Sequence, residues 1–359
     1  GGGLQFETKV VWIKSLGLHF HLAADGINIG IILMGAIVAF AAACCANDIT
    51  HRVKEFHILL NVMIGGILGA FASMDLFFFY FFHELALVPT FIMIGVWGRG
   101  ANRNYATYKI TLYLSLGALL ALIGLIGVYV QTGAESFSIP DLIDKVGKKP
   151  INEAAQQWVF PLLMFGFGIL VSLWPFHTWA PLGYGAAPTA TAMLHAGVLM
   201  KLGAFGILAV GIRLLPEGAA HWAPTFAVLA AIGIVYGAFV AIRQTDFKFV
   251  IGFSSVSHMG IVLLGLNLAA LGQAGSDALN GAVFQMFAHG VMTALFFSTV
   301  GFIYDRAHSK TIADFGGLGT QMPRAVSIFI VAGLCGAGLP GLASFWAELL
   351  VFLAALKTY

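Results

Sequence analysis

Six ionisable side chains lie inside long apolar runs of this 359-residue sequence: Glu84, His195, Lys201, His258, His289 and Glu348. An ionisable group at membrane depth costs roughly 2.5–3.5 kcal/mol on insertion scales, so by default it marks a functional site facing the interior of a helix bundle. Burial favours the neutral form of an acid or a base, and a neighbouring opposite charge restores the ionised form. A line of such groups can pass a proton by alternating between those states. Lys201 is the sharpest case, because no acid lies within ten residues of it. At about 1.5 Å per residue from Ala190, it sits roughly 17 Å along its helix, near the middle of a hydrocarbon core about 30 Å thick. Snorkelling to the headgroups is awkward from that depth. Unpaired, Glu84 and Glu348 would be too costly to be idle. For His258 and His289 two readings stay open: hydrogen bonds to a neighbouring helix, or a proton relay, which their ordinary titration near neutrality suits. A haem held between these two histidines is formally possible, but nothing else in the sequence favours it.

The elements that must hold these groups are membrane helices. Hydrophobic residues make up 59% of the chain, charged residues only 9%, and mean hydropathy is +0.91, far from the roughly 25% charge of soluble domains. A net charge of +2 with scattered basic residues gives no reason to expect nucleic acid. Cys44, Cys45 and Cys335 all lie in apolar segments and make neither a disulfide framework nor a metal site. The opening GGGLQFETKVVW lacks the pattern of a signal peptide, and the absent initiator methionine suggests a fragment.

Hydropathy predicts an all-α polytopic protein with about ten spans: 27–46, 56–73, 75–97, 106–130, 158–174, 188–214, 224–242, 249–271, 280–304, and a broken one that starts at 323–339 and resumes in ASFWAELLVFLAAL. The segment LHFHLAADG before the first span reads as amphipathic or extended. Pro89 is expected to kink the third span. Residues 131–157 mix lysines with Asp141 and Asp144 and read as a solvated external loop with one short helix at most. The whole of 1–359 is expected to form one membrane domain. Alternate threading places nine basic residues, including Arg52, Arg99, Lys248 and Lys310, on one side and six on the other. The positive-inside bias makes the first side cytoplasmic.

Two stretches are interrupted. Between 170 and 202, Pro175, Pro181 and Pro188 break an apolar run just before Lys201, and near the C-terminus Gly338-Leu339-Pro340-Gly341 breaks another just before Glu348. Matched breaks about five spans apart, each beside a charge, suggest the inverted repeats of transport proteins, whose discontinuous helices expose backbone groups and helix ends at the midplane.

Five blocks then become recognisable: FFFYFFHELALVPTFIMIGVWG, PFHTWAPLGYGAAPTATAMLHAGVLMKLGAFG, QTDFKFVIGFSSVSHMG, FQMFAHG, and GGLGTQMP followed by GLPGLASFWAELL. Together they resemble the antiporter-like, proton-translocating subunit M, or subunit 4, of respiratory complex I, an NADH-quinone oxidoreductase. The wider family includes subunits of multi-subunit cation/proton antiporters and of membrane-bound hydrogenases. The resemblance implies a fourteen-helix fold with two inverted five-helix repeats and broken seventh and twelfth helices. The first span here resembles the third helix, so an incomplete subunit is expected. It also implies that Glu84 is the fifth-helix glutamate that pairs with a lysine, Lys201 the central eighth-helix lysine and Glu348 the terminal twelfth-helix proton site. His258 and His289 would lie along the central axis.

One family feature is missing. Where members commonly read FAxKxPxxPxHTW, this chain has Leu170 in place of the lysine and Ser172 in place of a proline. Glu84 must then be neutral, or paired with His195, His83 or a water, and His195 is the expected substitute base. The resemblance implies no cofactor or metal in this chain, with FMN, iron–sulfur clusters, NADH and quinone in other subunits. Its expected partners are the other membrane subunits, neighbouring antiporter-like ones included, and the lipid of a bacterial inner membrane. Alternatives are an antiporter or hydrogenase subunit, or a structural subunit with no working proton path.

Overall fold

The computed structural model describes residues 3–272 and 276–359. Among the described residues, eight helices are long and apolar enough to cross a membrane: α1 (Asn28–Cys44, continued to Asp48 by a 3-10 turn), α2 (Val53–Ala72), α3 (Leu76–Trp97), α4 (Arg103–Thr132), α8 (Thr189–Ile212), α9 (Pro216–Ile242), α10 (Phe247–Ala270) and α11 (Asp277–Ala307). Two broken elements complete the bundle. The first joins α6 (Glu153–Leu170) to α7 (Trp179–Ala186), and the second joins α12 (Pro323–Gly336) to α13 (Ala343–Thr358). The fifth expected span therefore ends as a helix at Leu170 rather than at residue 174, because Ser172 takes a left-handed φ of 66° and the chain turns before α7. The expected loop 131–157 holds one short helix of its own, α5 (Ile139–Lys148), started by Pro140 in its first turn, and α6 begins inside it at Glu153 rather than at residue 158, capped by the side chain of Asn152. Pro89 lies inside α3.

Outside the bundle, β1 (Gln5–Ile13) pairs antiparallel with β2 (Leu18–Ala24). Among the described residues this hairpin is the one sheet, and it gives the extended form to LHFHLAADG. Its Phe20 packs edge-on against Phe78 of α3, so it caps that end of the bundle.

Helix α8 is the axis. Its most apolar stretch is buried throughout, whereas most of α9 faces outward. Lys201 sits between two wider π turns of α8, His195–Leu199 and Ile207–Ile212. Such insertions shift side chains around the helix and recur at functional sites.

The backbone carries an internal repeat. Asp75 caps α3 by accepting hydrogen bonds from the N–H groups of Phe77 and Phe78, and Asp246 caps α10 by accepting from Lys248 and Phe249. Asp75 forms an isolated antiparallel bridge with Ser138, and Asp246 does the same with Thr311. The flanking bonds correspond as well: Leu76 N–H to Phe137 O and Ile139 N–H to Met74 O, against Phe247 N–H to Lys310 O and Ile312 N–H to Thr245 O. The first set lies beside the hairpin, where His19 N–H donates to Asp75. The second lies at the opposite end, where Lys310 pairs with Asp246. Each set is followed by a broken helix, as two units inserted in opposite directions require.

A candidate proton-carrying line

Lys201 is fully buried. Its Nζ donates to Ala196 O at 2.6 Å and to His289 Nδ1 at 2.6 Å. With Nδ1 accepting, the proton of a neutral His289 is on Nε2, which donates to Thr293 Oγ1 at 3.0 Å. The His289 and His258 rings lie 5.4 Å apart. Beyond them, His258 Nδ1 is 3.1 Å from Glu348 Oε1, and Gln285 Nε2 reaches both His258 Nδ1 at 3.1 Å and Glu348 Oε1 at 3.3 Å. The structure thus brings Lys201, His289, His258 and Glu348 into one line through α8, α11, α10 and α13.

Local structure explains the line. Gln285, His289 and Thr293 are four residues apart and share one face of α11. Gln285 and Thr293 are functional candidates that the search for ionisable groups passed over, although their spacing with His289 was available. Glu348 is aimed by the break before α13. Gly338 has a φ of 67°, and a Cβ there would come within 2.9 Å of Glu348 Oε2, so this position requires a glycine.

The Gln285–His258–Glu348 contacts have a chemical consequence. His258 Nδ1 cannot accept from the Gln285 amide and donate to Glu348 in the same state. One arrangement has Nδ1 unprotonated and accepting; the other has it protonated and donating to the carboxylate. They differ by the position of one proton, which is the property of a relay station. Gln285 Oε1, without a hydrogen-bond partner among the described residues, supplies an acceptor if the amide flips with it.

Glu84 and His195 lie apart from this line. The Glu84 side chain is 34% exposed, and its Oε1 is 3.5 Å from His83 Nδ1. His195 does not act as its partner, which corrects the sequence expectation. The His195 ring is stacked on Trp179 at 5.3 Å and meets Tyr184 edge-on at 5.4 Å, and neither ring nitrogen has a protein hydrogen-bond partner among the described residues. His83 is adjacent to Glu84 on α3 and lies within ion-pair distance of it, although neither His83 Nδ1 nor Glu84 Oε1 makes a hydrogen bond among the described residues. Leu170 is buried, with its Cβ against the position of Gly203 in α8, so apolar contact fills the place of the family lysine.

Sequence and structure comparisons agree on a family. Residues 73–359 match the family described as NADH:quinone oxidoreductase/Mrp antiporter, TM. The chain is 35% identical to an NAD(P)H-quinone oxidoreductase chain 4 of Synechococcus sp. (strain JA-3-3Ab), over 99% of this chain and 66% of the relative. It is 36% identical to NADH-quinone oxidoreductase subunit M of Rhodobacter capsulatus, over 98% of this chain and 68% of the relative. It thus spans about two thirds of the length of these relatives. A chain of the respiratory complex I structure from Thermus thermophilus superposes with a TM-score of 0.90 at 30% identity, over 99% of this chain and 75% of that one. A chain of the archaeal membrane-bound sulfane sulfur reductase shares the fold, with a TM-score of 0.83 at 22% identity, over 93% of this chain and 67% of that one. The protein is an integral membrane protein and belongs to the NADH:quinone oxidoreductase/Mrp antiporter transmembrane family.

Proposed function

We propose that this chain is a proton-translocating membrane subunit of an NADH:quinone oxidoreductase. In this reading, electron transfer through FMN and iron–sulfur clusters to quinone takes place in other subunits and drives protons along the buried line. The supporting observation is the run of contacts from Lys201 through His289 and His258 to Glu348 inside a spanning bundle. A proton leaves Lys201 Nζ for His289 Nδ1. It crosses the 5.4 Å between the rings by ring rotation or one bridging water. His258 then delivers it to Glu348, the terminal carboxyl. Glu84, with His83, is a separate proton-accepting group on the α3 side, and His195 serves the approach to Lys201. The subunit's partners are the other membrane subunits of the complex and the lipid of a bacterial inner membrane. Residues 1–359 act as one membrane domain with 131–157 outside the bilayer.

The decisive experiment is Lys201→Met in the assembled complex reconstituted in vesicles. Proton uptake per electron should be lost while the complex still assembles, because the change removes a proton carrier and keeps an apolar side chain of similar length. Wild-type pumping in that variant would exclude this line. A structural membrane subunit with no working proton path is the second reading, favoured by Leu170, which leaves the α6 side without its family lysine. Pumping lost in Lys201→Met supports the first reading, and pumping by the assembled complex that is indifferent to Lys201→Met and Glu348→Gln supports the second.

A further inference from the structure

Resting on that reading, we propose that Asp48 is the proton-uptake group for Lys201, set in a water-filled vestibule at the basic end of the bundle. Three cavities of about 720, 530 and 290 Å³ meet at this residue. Its side chain is only 8% exposed. Oδ2 accepts from Arg99 at 2.9 Å, while the buried Oδ1 has no hydrogen-bond partner among the described residues. Arg99 also faces Asp305 at 3.8 Å, so two carboxylates share one guanidinium. Lys248 also acts on Asp48, and Arg306 and Arg324 line the largest cavity with both acids, so the vestibule carries charges of both signs.

The vestibule is joined to the Lys201 helix. Its largest cavity reaches Thr189, the first residue of α8. The preceding break is held open by three donors from three separate segments: Lys310 Nζ to Gly185 O at 2.8 Å, Arg99 N–H to Ala186 O at 2.8 Å, and Lys248 Nζ to Ala187 O at 2.7 Å. These bonds satisfy the terminal carbonyls of α7 and place positive charge at its negative end. From Thr189 inward, Thr191 Oγ1, Tyr184 Oη and both nitrogens of His195 are buried without protein partners among the described residues. Buried polar atoms of this kind are satisfied by ordered water. His195 lies about 9 Å beyond Thr189 along the helix, and Lys201 about 9 Å further. A proton taken by Asp48 from water at the basic end therefore passes through the vestibule to the level of Thr189, then by water past Thr191, Tyr184 and His195 to the amine of Lys201. Only proton positions change, and no redox step is needed.

Cys44 and Cys45 line the same cavity as Asp48, so the chain carries its own probes. In oriented vesicles holding the whole complex, a charged, membrane-impermeant methanethiosulfonate added on the basic-end side should label the peptide bearing both cysteines, read by mass spectrometry. Labelling only by a lipid-soluble maleimide would show a lipid-filled slot and overturn the vestibule. Asp48→Asn should lower pumping by about 10²-fold, the usual worth of a positioned proton carrier, and Asp48→Glu should restore most of it. Equal loss in both variants would reduce Asp48 to an anchor for Arg99, and no loss in Asp48→Asn would remove it from the path. Unimpaired pumping in Lys201→Met would instead overturn the underlying functional reading, so the two failures are distinguishable.

Discussion

At the scale of single residues, hydrogen-bond capacity separates the members of the line. Glu348 accepts from Gln285 and faces His258 Nδ1 through the same oxygen, Oε1. Glu348→Gln should stop proton release, because an amide cannot exchange a proton at accessible pH. Pumping at the wild-type proton-to-electron ratio would make Glu348 structural. Glu84 has a different dependence: its close polar neighbours are His83 and, one turn earlier on α3, Tyr80. His83→Leu should shift the Glu84 carboxyl band in infrared difference spectra, and His195→Leu should not move it. An unmoved band in His83→Leu would separate Glu84 from His83 as well. The ionisable members of the line were legible in the sequence because charge in apolar surroundings is rare and costly. Neutral members such as Gln285 and Thr293 carry no such signal. Asp48 and Lys248 were hidden for another reason. They fall at predicted span ends, where a charge ordinarily meets water, yet tertiary packing buries Lys248 to 5% exposure on the Ala187 carbonyl.

At the scale of elements, the breaks make the site. An unbroken helix spends its carbonyls internally, whereas the turn after α12 brings Gly338 against the Glu348 carboxylate. Gly338→Ala forces an L residue into a left-handed conformation at a cost of roughly 1–2 kcal/mol and pushes a methyl towards Oε2. Weaker pumping together with a lower unfolding temperature of the subunit in the purified complex is expected. Unchanged values of both would mean that α13 re-seats without loss. Proline and glycine clusters made both breaks legible, and with them the helix ends. The π turns on either side of Lys201 were not legible. They arise from how α8 packs against its neighbours, and the local sequence, LHAGVLMKLGAFGIL, reads as ordinary helix. The hairpin was legible only as an extended segment, because its pairing depends on β1, whose exposed residues show no inward-facing stripe.

For the whole molecule, the two inverted units divide the labour unequally. The second contributes His258, His289, Gln285 and Glu348, all in contact with the Lys201 line. The first contributes Lys201 on its last helix and leaves Glu84 apart, with the apolar Leu170 where the family lysine would stand. Energetic coupling should follow this division. Residues in one hydrogen-bonded network couple by about 0.5–3 kcal/mol, whereas separated sites add to within about 0.5 kcal/mol. Gln285→Leu removes a bridge without removing a proton carrier, so it should slow pumping rather than abolish it. Combined with Glu348→Asp, its effect on the pumping rate should be strongly non-additive, because both changes act on the same contacts. Combined with Glu84→Asp, the two effects should multiply as independent losses. Rates from the four members of each cycle, measured in the same reconstituted complex, test the division directly. A Glu84–Gln285 coupling as large as the Glu348–Gln285 coupling would mean that the first unit feeds the line through contacts that form only during turnover, and would join the two halves into one titrating path.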